Sequence, residues 1–320
     1  MIKIQPPENH RSIRYYCKYF SELNVYRNKH KSGNALNQPI LILSVIDLIT
    51  QGVIKDKYIF ISDELINTFK KYWDLLGSDF YKGSDFALPF FHLKNQHGKF
   101  WHLQYSSKYE GGRPQSIPKL KHDVDYALLD DELFTLLQDN IARKELIDTL
   151  VSAWFLNKEL TTTEIIRINQ GFQANLEAEL LIDNHPKKRT REYLPRDAFF
   201  RESVITVYDC KCCFCRIQVN NRLNQNLVDG AHIKPFSQFY DNRVCNGISL
   251  SKNHHWAFDC GWFTVDEKYK IVVSYNLKEE SPYAKPMKDF HGEEVLLPNQ
   301  EECFPDQEAL DWHRQNVFQA

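Results

Sequence analysis

The chain has 320 residues, 42% hydrophobic and 26% charged, and a formal net charge of −2. That balance supports buried cores, and it excludes wholesale disorder and a protein-wide positive field while leaving room for local basic patches. The length suits about two domains of ordinary size.

No hydrophobic signal core follows Met1, and the longest apolar run, Ile40 to Ile49, is broken by Ser44 and Asp47 at about half the length of a membrane span. A soluble, cytosolic (cytoplasmic) protein with no membrane partner is expected. For its eight cysteines, that setting favours reduced thiols or a metal site over a disulfide framework. Residues 11–31 mix Arg11, Arg14, Lys18, Arg27, Lys29 and Lys31 with Tyr15, Tyr16, Tyr19, Phe20 and Tyr26. This reads equally as an amphipathic helix with a solvated basic face and as a phosphate-contacting one. An apolar helix follows over 40–50, with Pro39 in its first turn and Gly52 closing it. Tyr58 to Ile61 reads as a short strand, and Ser62 or Asp63 caps an amphipathic helix to about Leu76. Phe90–Leu93 and Lys99–Leu103 flank Asn95-Gln96-His97-Gly98, the pattern of a β-hairpin. Arg113, Lys119 and Lys121 lie in and beside a Gly/Pro loop, where they offer phosphate or groove contacts. Helices are expected around 130–156 and 161–180. The basic run from Asn184 to Arg191 marks a domain boundary and serves as a plain connector or as a DNA-backbone contact, which gives domains 1–183 and 184–320.

The chemistry is concentrated in the second domain. Val228-Asp229-Gly230-Ala231-His232-Ile233-Lys234-Pro235, Asn246-Gly247-Ile248-Ser249-Leu250 and His255-Trp256-Ala257-Phe258-Asp259-Cys260-Gly261 occur in that order. Together they resemble the HNH nuclease motif, in the form whose last histidine is followed by Phe-Asp-x-Gly. The resemblance implies a ββα-metal fold, DNA cleavage and one Mg²⁺ or Mn²⁺ per active site. The residues suit that chemistry: a histidine with an unperturbed pKa of about 6.5 can take a proton from water. His255 and Asp259, four apart on a helix, share a face and can pinch one cation. Many members of the family carry a metal ligand just before the catalytic histidine, where this chain has Ala231. Asp229, on the same side of the strand by alternation, is the expected ligand instead. Asn246 resembles the family's central asparagine, which pins the loop orienting the histidine or lies beside the metal. The expected catalytic residues are therefore His232, Asn246 and His255, and the metal ligands Asp229, His255 and Asp259. The cleavage products would be 5′-phosphate and 3′-hydroxyl ends.

Two overlapping Cys-x-x-Cys pairs, Cys210/Cys213 and Cys212/Cys215, precede the motif. Some HNH proteins hold structural Zn²⁺ with such a pair and a second one beside the last histidine. Here Cys212 and Cys215 with Cys245 and Cys260 would make a four-thiolate set; the alternative is free thiols packed near a turn. Past the motif, Gly261–Asp266 resembles the strand that follows in this subfamily. Leu296-Leu297-Pro298 and Leu310-Asp311-Trp312-His313 resemble its C-terminal signature, with Trp312 and His313 in packing roles.

Residues 30–103 resemble the sulfur-binding domain of phosphorothioation-dependent, McrA-type restriction endonucleases, through the Pro39-led helix, Pro89-Phe90-Phe91-His92-Leu93 and Phe100-Trp101-His102-Leu103. In that family an apolar cup with a proline ring receives the sulfur, and Pro89 is the matching position. Asn37 and Gln38 stand where the family often has a histidine and a basic residue. The expected DNA-binding residues are Pro89, Asn37, Gln38, Arg113, Lys119, Lys121 and Lys31. The whole chain is expected to be α+β: a mainly helical DNA-reader domain with a β-hairpin, then a ββα-metal (HNH) nuclease domain. Its partner is double-stranded, phosphorothioate-modified DNA. Cutting two strands takes two sites, which favours a homodimer. The rival expectations are the same nuclease reading methylated or unmodified DNA, and a non-catalytic DNA-binding module.

Overall fold

A computed structural model describes residues 11–26, 35–77, 85–156, 161–182, 194–219 and 227–320. The chain divides into two compact units, Met1–Asn157 with Lys188–Ala198, and Lys158–Lys187 with Phe199–Ala320. This division differs from a boundary at 183, because the stretch from 158 to 187 clusters with the C-terminal residues. The basic run 184–191 and Lys31 lie outside the described residues.

In the first unit, α1 (Ile13–Ser21) turns Tyr16 and Phe20 inward and packs on α7 (Asn140–Trp154). Part of the basic and aromatic N-terminal stretch is spent internally: Arg11 pairs with Asp130, and the Tyr16 hydroxyl donates to the same carboxylate at 3.1 Å. Every residue of α2 (Asn37–Thr50) from Pro39 onward is buried. A helix apolar all round must sit at the centre of its unit, and α3 (Asp63–Leu76), α4 (Ala87–His92), α6 (Asp131–Gln138) and α7 all pack against it. Ser62 caps α3 as expected, its hydroxyl accepting from Leu65 N at 3.2 Å. β1 (Tyr58–Ile59), β2 (Trp101–Tyr105) and β3 (Val124–Leu129) form an antiparallel sheet in the order β1-β3-β2. The seven-residue α5 (Ile117–Asp123) leads directly into β3.

The expected β-hairpin is not formed. Phe90–His92 belongs to α4, followed by a 3₁₀ turn at Leu93–Asn95, and β2 pairs with β3 instead. The reason is local: Asp85 Oδ1 accepts from Ala87 N at 3.0 Å and starts a helical turn. That turn buries Phe90 and Phe91 together, which an alternating strand cannot do.

In the second unit, α8 (Thr162–Ile182) and α9 (Pro195–Val207, from Phe199 on) accompany an antiparallel pair, β4 (Val228–His232) and β5 (Gly247–Ser251). The short α10 (Phe236–Phe239) lies between the strands in sequence, and α11 (Lys252–Asp259) follows β5 and packs on both. This is the expected ββα arrangement. α9 approaches the strands closely at two glycines: a Cβ at Gly230 would meet Arg201 O at 2.8 Å, and one at Gly247 would meet Val204 Cγ2 at 2.4 Å. A second antiparallel pair, β6 (Phe263–Val265) with β7 (Ile271–Val273), and α12 (Gln307–Asn316) complete the unit. His313 of α12 is 1% exposed, stacks on Phe258 at 3.7 Å and contacts Thr264 Oγ1 at 2.9 Å, a packing role as expected.

Candidate active site

His232 closes β4 on the face that α9 covers, and the Phe200 ring lies parallel to its imidazole at 3.8 Å. Gly247, its register partner on β5, leaves the space that this stacking needs. His232 Nε2 is 2.8 Å from Oδ1 of Asn242. Asn246 spends its own amide on backbone. Oδ1 accepts from Lys234 N at 2.9 Å, and Nδ2 donates to Lys234 O at 3.1 Å and to Asp241 O at 2.9 Å. These bonds tie Lys234, two positions after the histidine, to Asp241.

Consecutive residues on α11 diverge by about 100°, as helix geometry dictates, and this separates His254 from His255. His255 faces carboxylates, with Nδ1 3.6 Å from Asp229 Oδ2 and Nε2 3.6 Å from Asp259 Oδ2. Burial disfavours its protonated form, but the two carboxylates outweigh burial and raise its pKa. Burial lifts the Asp259 carboxyl above its usual range. Arg201 of α9 ion-pairs with Asp229 and, through Nη1, with Glu202 at 2.7 Å.

Residues 212–266, which run from the cysteine cluster through β4, β5 and α11 to the end of β6, match the family model described as HNH endonuclease. The chain carries an HNH endonuclease domain. Among solved structures, the chain described as "Modification dependent TagI restriction endonuclease" is similar at 20% sequence identity and a TM-score of 0.28. The match covers 37% of this chain and 37% of that one. The search of curated proteins finds no match.

The donor set of the HNH domain, one imidazole and one carboxylate, can take part in holding a divalent cation. His255 Nε2 and Asp259 stand on one side of α11; the carboxylate is a donor that Mg²⁺ and Mn²⁺ take, and the imidazole one that transition-metal cations take. Asp229 differs from expectation. It lies toward the opposite ring nitrogen and already holds Arg201, so the three ligands expected from sequence do not converge on one point.

His254 points to sulfur. Its Nδ1 lies 3.5 Å from Cys212 Sγ and 2.9 Å from Ser251 Oγ, and Phe214 packs on its ring at 4.3 Å. Donor atoms of Cys212, Cys215 and His254 lie within 4.8 Å of one another, and this is the one such group of three among the described residues. Hydrogen bonding from Cys215 draws the Cys212 pKa well down. Two sulfurs and an imidazole are three of the four donors that zinc takes in structural sites. Cys245 and Cys260 do not join this group, and the third donor, which sequence reasoning missed, is the histidine beside His255. Its signal was the doubled His254-His255.

In the first unit, Pro89 is buried within α4, Asn37 opens α2, and Gln38 Oε1 accepts from Gln96 Nε2 at 2.5 Å. Lys119 pairs with Asp123 at 2.7 Å and Lys121 with Asp63 at 3.1 Å. Arg113 is exposed, and burial first, then Arg113 and Lys94, lower the pKa of His92. Lys94 Nζ sits 3.7 Å from the centre of the Phe91 ring and donates to the Tyr105 hydroxyl at 2.5 Å; Tyr105 stacks on Tyr109 at 4.3 Å. His92 and Lys94 were not singled out in the sequence. No helix among the described residues is long and apolar enough to cross a membrane.

Proposed function

We propose that this protein is a modification-dependent DNA endonuclease. Its first unit reads phosphorothioated DNA, and its HNH domain hydrolyses the phosphodiester backbone. The observation that carries the catalytic half is His232 at the end of β4, stacked by Phe200 and held by Asn242, in the same ββα element as His255 and Asp259. His232 takes the proton of the attacking water. His255 Nε2 and Asp259 would hold the divalent cation, which supplies charge stabilisation for the phosphorane and the departing oxygen. Asp229, on the far nitrogen of His255, orients that ring, as carboxylates do behind metal-bound histidines. Arg201 balances the charge of Asp229. Cys212, Cys215 and His254 would hold a structural zinc; elemental analysis should find one zinc per chain, lost in Cys212→Ser. A homodimer would bring the two sites that a double-strand break needs.

The phosphorothioate reading rests on the resemblance of residues 30–103, and on the fact that sulfur is larger and less hydrated than oxygen, so apolar surface can select it. The burial of Pro89 favours a second reading, in which the same nuclease reads another mark through the surface around half-buried Lys94 and exposed Arg113. Three otherwise identical duplexes, unmodified, Rp-phosphorothioated and cytosine-methylated, separate the two in the presence of Mg²⁺ or Mn²⁺. Cutting confined to the phosphorothioated duplex is expected. Cutting of another duplex keeps the nuclease and discards the sulfur reader, and binding without cutting of any sinks the catalytic half.

A further inference from the structure

We infer that Asn242 is a positioning residue for the general base, and that α8 sets its place. This rests on the reading of His232 as that base. An amide oxygen can only accept, so Oδ1 of Asn242 at 2.8 Å selects the imidazole tautomer with its proton on Nε2. Nδ1 is then the nitrogen able to take a proton from water. Phe200 fixes the plane of the ring and Asn242 fixes which way round it faces.

Asn242 is itself held on both sides of its peptide. Its N–H donates to Gln173 Oε1 at 2.9 Å, and its carbonyl accepts from Asn169 Nδ2 at 2.8 Å. Asn169 and Gln173 are four apart on α8 and so share one face. Gln173 Nε2 also donates to Tyr240 O at 3.2 Å, and Asn246 Nδ2 donates to Asp241 O. Three successive carbonyls, those of Tyr240, Asp241 and Asn242, therefore each accept from a side-chain amide. The loop needs such support, because Tyr240 takes a left-handed backbone conformation at φ 51°, which disfavours a bulky side chain. Asn169, Gln173 and Asn242 are all buried, at 2%, 8% and 1% exposure. Buried amides are costly unless fully bonded, and apolar residues would fill this space at less cost. What the amides add is a fixed position for one loop, and the side chain at its end is the one that meets His232.

The test uses the full-length chain labelled with ¹⁵N-histidine. Long-range ¹H–¹⁵N spectra report the tautomer of each imidazole, and the His232 signals are identified by their loss in His232→Gln. The parent should carry the His232 proton on Nε2, Asn242→Ala should give a mixture, and Asn242→Asp, which keeps the acceptor, should restore Nε2–H. On DNA that the parent cuts, Asn242→Ala should lower kcat roughly 10- to 100-fold with KM changed by no more than about twofold. Asn242→Asp should recover most of that rate. Asn169→Asp, which turns an acceptor toward the Asn242 carbonyl, should lower kcat in the same direction by less. A parent tautomer with the proton on Nδ1, or an Asn242→Ala variant with unchanged tautomer and kcat, overturns the inference. Parent-like cutting by His232→Gln would instead remove His232 as the base and leave the tautomer result to be read separately.

Discussion

His255 in the second unit and His92 in the first are both partly buried, and their surroundings carry opposite charge. Asp229 and Asp259 flank His255 and raise its pKa against the effect of burial. At His92, burial acts first, and Arg113 and Lys94 lower the pKa further. The residue type is the same, so the difference lies in the neighbours, and the neighbours declare the guest. A ring among carboxylates suits a metal cation, and a ring whose charged neighbours are Arg113 and Lys94 suits a phosphate backbone. Under the proposed function, the two units would divide recognition and cleavage along this line.

Removing each ring is the strongest way to break this comparison. His255→Ala should reduce cutting at least about 1000-fold, the scale of losing a divalent cation and the charge stabilisation it brings. DNA affinity should stay within about threefold, because most affinity comes from backbone contacts elsewhere. His92→Ala should cost affinity rather than rate at saturating DNA. Single-turnover cleavage and a filter-binding titration on the same preparations decide it. A crossed result, with affinity lost at His255 and rate at His92, would mean the charge of the surroundings does not identify the site.

A third histidine sharpens the comparison by having no carboxylate partner. His313 is 1% exposed between Phe258 and Thr264, and burial pushes its pKa down to about 4, with Arg314 adding in the same direction. The unfolded chain binds a proton near pH 6.5 that the folded one refuses until about pH 4. Stability contributed here is therefore complete above pH 6.5 and falls as the pH drops toward 4, by about 3 kcal/mol in all. Denaturant melts from pH 7.5 to 4.5 should show this slope, and His313→Gln should flatten it. An equal slope in the variant would assign the acid sensitivity to other groups.

The comparison also explains what the sequence could and could not reveal. β4, β5 and α11 are contiguous, and their spacing is set by the chemistry, so His232, His255 and Asp259 could be read directly. Phe200, Arg201, Asn169 and Gln173 act across 28 to 73 residues of chain, and nothing local distinguishes them from ordinary helix residues. Asn242 was missed for another reason: it lies in the same loop as Asn246, and the family pattern draws attention to the second. In the first unit, Phe90–Leu93 had the composition of a strand, and the cue against it was one residue ahead of the helix, Asp85, whose carboxylate accepts from Ala87 N. Hydrophobic segments of four or five residues leave helix and strand undecided until a partner is known. The zinc-type group shows a similar limit, since the third donor came from α11 rather than from another cysteine.

The smallest predicted effect bears on the anion side of the comparison. If Lys94 and Arg113 each meet a phosphate, removing both should lower the slope of log K against log[salt] by about two, since each neutralised phosphate contributes about 0.9. The loss in affinity at 0.1 M salt should be about 10-fold, uniform across sequences, because backbone contacts position the protein and do not read bases. Lys94 has internal partners, the Phe91 ring and the Tyr105 hydroxyl, so Lys94→Ala alone could act through local packing. Lys94→Arg together with Arg113→Lys controls for this by keeping both charges: the salt slope should then match the parent. A double alanine variant with the parent slope would detach these cations from DNA, and the field around His92 would then need another anion.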